Sequence, residues 1–556
     1  MAEFKSAHQA LLDWARLSPD RPFLHQPVGD KVDTYSWLQC ADISLRLASA
    51  LRGLGLERGD KVALLSKNCA EWFLSDFAIA MADLVSVPIY PTAGKKTIAQ
   101  VLEHSEAKAV IIGKLDDPEV PAGVMPDGIR TISMPYTSID CEYEWQSLLD
   151  SSVPLQDIKN ANPDDVMTIL YTSGSTGHPK GVVLTYAAYH YSSNAAMESL
   201  GGSTEEAING YADDRLFSYL PLAHITERAC TEGPAVYAGC QCFFVDSMET
   251  FKRDLRNARA TVFISVPRLW VQFQSAVHAE ISPAKLAIML RIPFLGKAVA
   301  GKIRDGLGLS HAHTVGSGSA PISPSTLKWY QRIGVNIGEG WGMSETCGLS
   351  CGNTPFDANR IGTIGVPMPG TEMKLSDENE ILIRAPGLFR EYYKDPELTK
   401  EAFTEDGFFR TGDKGEWDEQ SQAFRITGRV KDLFKSAKGK YIVPVPIESR
   451  LSGNPMLEQI CVMGSGLRAP VAVVVLAPAA RELEKAQVIA SVSETLDRVN
   501  ERLESHEKLD RIVIANDEWT IENELLTPTM KIKRELLENR YRHLIAENHT
   551  ASVVWE

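Results

Sequence analysis

A chain of 556 residues, 44% of them hydrophobic, is too long for one core, because single cores stop growing at roughly 250 to 300 residues. Its formal net charge of −15, from 57 basic and 72 acidic residues, argues against a nucleic-acid partner and for small-molecule substrates. Nine cysteines, an odd number without metal-ligand spacing, read as packed thiols in a reducing, cytoplasmic compartment rather than as a disulfide framework.

The N-terminal stretch MAEFKSAHQALLDWARLSPD is polar and helical, without the basic-then-apolar pattern of a signal peptide. From Lys61 short apolar runs alternate with helical patterns: VALLS, EWFLSDFAIAMA, VSVPI, IAQVLEH and AVII. This is βαβαβ, the pattern of a parallel sheet covered on both faces. Asn68 and Glu71 are spaced as a capping box for the first of these helices.

DVMTILY predicts a strand that runs into YTSGSTGHPKG, Tyr171 to Gly181, and a helix follows Thr185. The loop is not a Walker-type nucleotide loop, since Pro179 stands where that pattern needs its second glycine. Thr172, Ser173, Ser175 and Thr176 nevertheless gather hydroxyls, and Gly174 and Gly177 allow close backbone approach. With Lys180 behind them, they suit phosphate oxygens; a solvated linker is the alternative. TVFIS at 261 to 265 leads into a helix with Trp270 and Phe273. LAIMLRIPFLGKAVA, from Leu286, is broken by Arg291, Pro293 and Lys297. It falls short of the roughly 20 apolar residues that span a bilayer. It reads as a buried helix pair, with contact to a membrane surface as the alternative. HTVGSGSAP is a strand entering a glycine-rich turn, and large α/β sheets hold ligands beyond such strand ends. Near Arg429 a charged run, GRVKDLFKSAKGKY, gives way to a smaller βα pattern. The expected division is therefore 1–430 and 431–556, the second part an ordinary size for one core.

Seven elements in order carry a resemblance: YTSGSTGHPKG, YLPLAHITER (219–228), GSGSAPIS (316–323), GWGMSET (340–346), RTGDKGEW (410–417), RITGRVKDLFKSAKGKY (425–441) and LTPTMKIKREL (526–536). Together they resemble the AMP-forming adenylating superfamily of acyl-CoA synthetases, peptide-synthetase adenylation domains and luciferases. The resemblance implies an α/β fold: a large N-terminal domain of stacked βαβ sheets and a small mobile C-terminal α+β domain. It also implies ATP and Mg²⁺, with CoA as co-substrate.

By the same resemblance, Thr172 to Gly177 and Lys180 hold phosphate, Glu345 offers an oxygen to Mg²⁺, and the Thr346 hydroxyl reaches the phosphate. Trp341 would stack on adenine beside Gly342, with Gly318, Ser319, Ala320 and Pro321 lining the base. Asp413, assisted by Arg429, would take the ribose hydroxyls. Lys531 would enter the site during adenylation; Lys533 is its neighbour, and only one of the two is expected to reach in. Lys431 matches the hinge of the mobile domain, and Gly439 the glycine beside which pantetheine passes. The sequence departs there, reading Ser436, Ala437, Lys438, Gly439, Lys440. His224 matches a residue near the acyl carboxylate, where it would position substrate or gate the pocket.

Sub-patterns such as SKNCAEWFLSDFAIAMADLVSVPIYPT and FKSAKGKYIVPVPIE are similar to long-chain fatty acyl-CoA synthetases. The expected reaction converts fatty acid, ATP and CoA to acyl-CoA, AMP and pyrophosphate. Phe217, Tyr237 and Trp270 are candidates for setting pocket depth. Transfer to a carrier protein, an aryl or β-hydroxy acid substrate, and a silent acyl-nucleotide binding module are the alternatives. A homodimer and peripheral membrane contact are left open.

Overall fold

The computed structural model describes residues 3–137, 139–173, 179–199, 213–521, 523–527, 531–547 and 551–556. Gly174, Ser175, Thr176 and Gly177 of the hydroxyl-rich loop lie outside the described residues, as does the side chain of Ser173.

The predicted βαβαβ run forms the middle of an eight-stranded sheet, in which strands Lys61–Leu65, Val85–Ile89 and Val166–Ser173 lie parallel. The segment Pro179–Thr185, unassigned from the sequence, is an antiparallel strand on Val166–Ser173 that sets Pro179 opposite Ser173. A second, nine-stranded sheet contains the parallel strands Arg215–Ser218, Val262–Ser265, Thr314–Ser317 and Ile337–Met343. The helix Ala70–Met81 packs against residues of both sheets and is buried on almost every side. Its apolar side chains lie on several faces, as that position requires, and its buried polar residues Glu71, Ser75 and Asp76 all have partners. Asn68 and Glu71 do not cap it. Asn68 donates to Ser218 Oγ (2.8 Å) and to the Leu220 carbonyl (2.7 Å), and Glu71 accepts from Tyr136 Oη (3.0 Å). Both side chains are claimed by partners distant in sequence, so the helix begins at Cys69 without a side-chain cap.

A four-stranded antiparallel sheet follows, in which Phe409–Asp418 pairs with Ala423–Arg429 and Asp413 faces Arg429 directly. Beyond Arg429 the chain builds a separate mixed sheet from Leu457–Met463, Val471–Leu476, Ile512–Ile514 and Val553–Trp555. It has a core on each face, one around Ile447, Val488 and Leu496, the other around Trp519, Leu537 and Tyr541. The helix pair expected after Leu286 is present as Pro283–Arg291 and Leu295–Gly306, but it is not buried. Only Leu286, Gly296, Ala300 and Ile303 are covered, because the charged residues that interrupt the apolar run fall on its outer side. Among the described residues no helix is long and apolar enough to cross a membrane.

The most buried charge lies between the sheets. Arg228 starts a π-helical turn, Arg228–Glu232, and is fully enclosed. Its guanidinium binds Asp76 on the central helix, Glu232 (3.2 Å) and the Thr168 hydroxyl (2.9 Å), between the rings of Trp72 and Tyr189. Arg228→Met is expected to cost about 3–5 kcal/mol, since it strands two carboxylates in a dry site. Urea unfolding followed by tryptophan fluorescence checks this, and a midpoint equal to the parent's would show that the cluster does not hold the sheets.

Candidate active site

A cavity of about 940 Å³ opens beyond the carboxyl ends of strands from both large sheets. Tyr90, Thr172, Ser319 and Gly342, each at or just past a strand end, line it, and Lys531 lines it from the small domain. This is where open α/β sheets bind ligands. Gly342 is required by close approach: a Cβ there would lie 1.6 Å from the Gly348 carbonyl oxygen on the paired strand. Ser319, Ala320 and Pro321 line the wall, whereas Gly318 does not. Its place is structural, a Cβ coming 3.2 Å from the Gly340 oxygen.

Asp413 is buried, with its two oxygens divided between two donors. Oδ2 accepts the Trp341 indole N–H at 2.9 Å and Oδ1 pairs with Arg429 Nε at 2.9 Å. The cross-strand register brings Arg429 there. Burial raises the Asp413 carboxyl above the ordinary carboxylate value, opposed by Arg429, the indole N–H and Lys531. Trp341 packs on Cys351, Ile381, Ile383 and Phe424 and also lines the cavity, so it is both a core residue and an aromatic wall.

Lys531 stands in the open cavity, crowded by protein atoms yet in contact with solvent. Desolvation and Arg429 lower its ammonium from the ordinary value, while Asp413 and Glu345 oppose the shift. Its backbone is tied to Thr527, with Thr527 N–H donating to the Lys531 carbonyl at 2.8 Å. Lys533 lines the same cavity. The expectation that only one lysine reaches in is therefore corrected: residues two apart in an extended segment share a face.

Glu345 is buried, and its Oε1 accepts from Tyr392 Oη at 2.9 Å. Lys180, whose ammonium lies 5.3 Å from the centre of the Tyr392 ring, continues the chain toward the hydroxyl-rich loop. Tyr392 was not singled out from the sequence; the adjacent pair Tyr392–Tyr393 is its only signal. Thr346 is a second correction. Its hydroxyl donates to the Gly348 carbonyl (3.0 Å) and accepts from Met343 N–H (2.9 Å), closing the turn, and it does not line the cavity. Ser344, two residues earlier, does. The reversal of the chain at this turn selects which hydroxyl faces the ligand.

His224 lines the cavity at the start of the turn Ile225–Glu227, where Nδ1 accepts from Thr226 N–H at 3.2 Å. That bond leaves the proton of the neutral ring on Nε2. Burial, aided by Lys531, pushes the imidazole down to about 4. Glu227, buried behind it, accepts Tyr219 N–H (3.1 Å), and burial raises its carboxyl to about 8. Phe217 and Trp270 sit in the core behind the cavity, and Tyr237 donates to the Lys5 carbonyl. None of the three lines the cavity. Gly439, at φ +73 in the hairpin of Phe434–Lys435 and Tyr441–Ile442, lies away from it, and Lys431 is exposed in the turn after Arg429.

The AMP-binding enzyme family matches residues 11–393, more than half of the chain, and its C-terminal domain matches residues 431–552. The chain belongs to the AMP-binding enzyme family. This AMP-binding enzyme is 30% identical to fatty acyl-CoA synthetase A of Dictyostelium discoideum, over 92% of this chain and 85% of that one. It is 31% identical to the peroxisomal long chain acyl-CoA synthetase 6 of Arabidopsis thaliana, over 94% and 84%. Its fold is similar to the adenylation domain of a carboxylate reductase from Mycobacterium chelonae, with a TM-score of 0.81 at 22% identity over 97% of this chain and 90% of that one. An anthranilate CoA ligase in complex with anthranoyl-AMP gives a TM-score of 0.79 at 20% identity over 98% and 99%.

In this AMP-binding enzyme His224 is expected to stay neutral, with its proton on Nε2, from pH 8 down to about 5. Because the folded value lies below the ordinary 6.5, the unfolded chain takes up this proton first. The contribution to stability is whole above about pH 6.5 and declines as pH falls toward 4. Histidine ¹H–¹⁵N correlation spectra against pH measure it, and a midpoint near 6.5 would contradict the buried, uncharged imidazole.

Proposed function

We propose that the enzyme activates a fatty acid, long-chain by analogy with its relatives, as an acyl adenylate and transfers the acyl group to CoA. The observation that carries the reading is the meeting of Lys531 with Asp413 and Glu345 at one cavity, on the carboxyl ends of both large sheets. In the first step a carboxylate oxygen of the acid attacks the α-phosphorus of ATP. The bond to the bridging oxygen breaks, and pyrophosphate leaves with its electron pair. Negative charge grows on the nonbridging oxygens, and the Lys531 ammonium balances it from a site where desolvation strengthens the attraction. Asp413 takes the ribose hydroxyls on the lone pairs left by Trp341 and Arg429, and the flat face of Trp341 receives the base.

In the second step the CoA thiolate sulfur attacks the acyl carbon, the bond to the phosphate oxygen breaks, and AMP departs. A neutral His224 presents an Nε2–H, so it positions the carboxylate as a donor rather than as a charge. The donor set fits Mg²⁺, which binds through one or two carboxylates plus substrate phosphates. Glu345, with one oxygen held by Tyr392, would hold it, and the ion would supply charge neutralisation of the phosphates. Thr172, Lys180 and the loop between them would hold the phosphates. The division falls at 430/431, with Lys431 as hinge. The pose described here holds Lys531 in the cavity and Gly439 outside it, so thioester formation calls for a second pose of the small domain.

Lys531→Ala is expected to slow adenylation by about 10² to 10³ and to spare capture of a supplied acyl adenylate by CoA. Single-turnover kinetics with free acid and with preformed adenylate measure both halves. Equal loss of the two would overturn the assignment of Lys531 to the first step. Glu345→Gln is expected to raise the Mg²⁺ concentration needed for half-maximal exchange of pyrophosphate into ATP. An unshifted Mg²⁺ dependence would remove Glu345 as the ligand.

A further inference from the structure

The helix hairpin Pro283–Gly306 projects an apolar tip that nothing among the described residues covers. Phe294 is 86% exposed, Ile288 62%, Ile292 46% and Leu295 41%. Phe294 is also held at φ +63, a backbone conformation that costs energy for a bulky residue. An exposed phenylalanine in a strained turn adds nothing to the core, so its use lies outside the fold. The base of the hairpin is fixed: Leu286, Ala300 and Ile303 belong to the core that contains Trp270, Tyr330 and the cavity-lining Ile322.

The charge around the tip is the opposite of the charge of the chain. The hairpin carries five basic residues, Lys285, Arg291, Lys297, Lys302 and Arg304, against one acidic residue, Asp305, at the end away from the tip, in a protein of net charge −15. Arg304 is turned inward to the Ile333 carbonyl. The other four are exposed, and among the described residues none of them is ion-paired. We propose that this hairpin docks the enzyme on an anionic lipid surface, with Ile292, Phe294 and Leu295 entering the headgroup boundary and the four cations lying against the phosphates. Apolar insertion combined with attraction to acidic lipid is the way an interfacial segment binds. A second copy of the chain fits less well. A stable interface buries roughly 800 Å² per partner, more than one hairpin tip offers, and two such tips would bring eight cations together. The inference rests on the hairpin and not on the substrate assigned to the cavity.

Flotation of the full chain with phosphatidylcholine vesicles, with and without phosphatidylglycerol, tests it. Binding is expected with the acidic lipid, weakening as salt rises. Ile292→Ser with Phe294→Ser should lower the partition at least about ten-fold. Lys285→Gln, Arg291→Gln and Lys297→Gln should each lower it about five-fold. Pyrophosphate exchange equal to the parent's shows that the variants are folded, since the hairpin stands outside the cavity. Should the double serine variant not fold, the glutamine variants decide by themselves. Equal partition with and without phosphatidylglycerol, or partition indifferent to the substitutions, would overturn the proposal. So would a dimer in sedimentation velocity that Phe294→Ser dissociates, which would make the hairpin an interface between copies.

Discussion

The fully enclosed guanidinium of Arg228 is the constraint on which the seating of the central helix and the π-helical turn against the eight-stranded sheet depends. It joins Thr168 on a strand of the eight-stranded sheet, Asp76 on the helix between the sheets, and Glu232 on its own π-helical turn. Tyr189 donates to the Arg228 carbonyl at 3.0 Å and so adds the helix Tyr186–Ser199 to the same cluster. A charge so far from water is tolerable only because oxygen acceptors and ring faces surround it. Four residues before it in the chain stands His224, at the cavity. In YLPLAHITER the inward anchors, Glu227 and Arg228, therefore set where the outward histidine stands.

From that fixed frame the cavity acquires an uneven electrostatic character. Among the described residues, the three carboxylates that line it are each held by a partner: Asp413 by its cross-strand neighbour Arg429 and by Trp341, Glu345 by Tyr392, and Glu339 by the Gly362 N–H. The cations are divided: Arg425 and Arg429 stand on the strand Ala423–Arg429, while Lys531 and Lys533 come on a short extended segment of the small domain, tied locally by the Thr527–Lys531 bonds and the bridge between Leu526 and Ile532. Acceptors held on the large scaffold, with two lysines supplied by a separately folded unit, suit a site that assembles and disassembles around a phosphate-bearing ligand. The chain's negative charge works against anionic substrates at long range, which leaves attraction to these local cations.

The same contrast between global and local charge recurs at the hairpin Pro283–Gly306. An acidic protein is repelled by an acidic lipid surface except where basic side chains are gathered, and screening over about 8 to 10 Å lets such a cluster act independently of the rest. Its apolar residues are divided by the same rule that divides the cavity: those facing the shared core are covered, and those at the tip are left to water.

By itself the sequence determined the alternation of strands and helices after Lys61, the change of texture near Arg429, and the order of the motifs that meet at the cavity. Period and order are local properties of the chain, and local backbone geometry follows from them. Tertiary structure decided what distant partners decide. Asn68 and Glu71 have the spacing of a cap, but Leu220 and Tyr136 offer them stronger claims across the interior. Ser344 rather than Thr346 faces the cavity, because the Gly348 carbonyl takes up the threonine hydroxyl. Phe217 and Trp270, plausible as pocket walls, are consumed by a core whose other members lie far along the chain. The apolar run after Leu286 has the composition of a buried pair, and only the packing of one of its faces shows that its tip is left outside. A polar or aromatic side chain in sequence states what it can bond or cover; the fold alone states which partner reaches it first, since that depends on residues brought near by packing rather than by order.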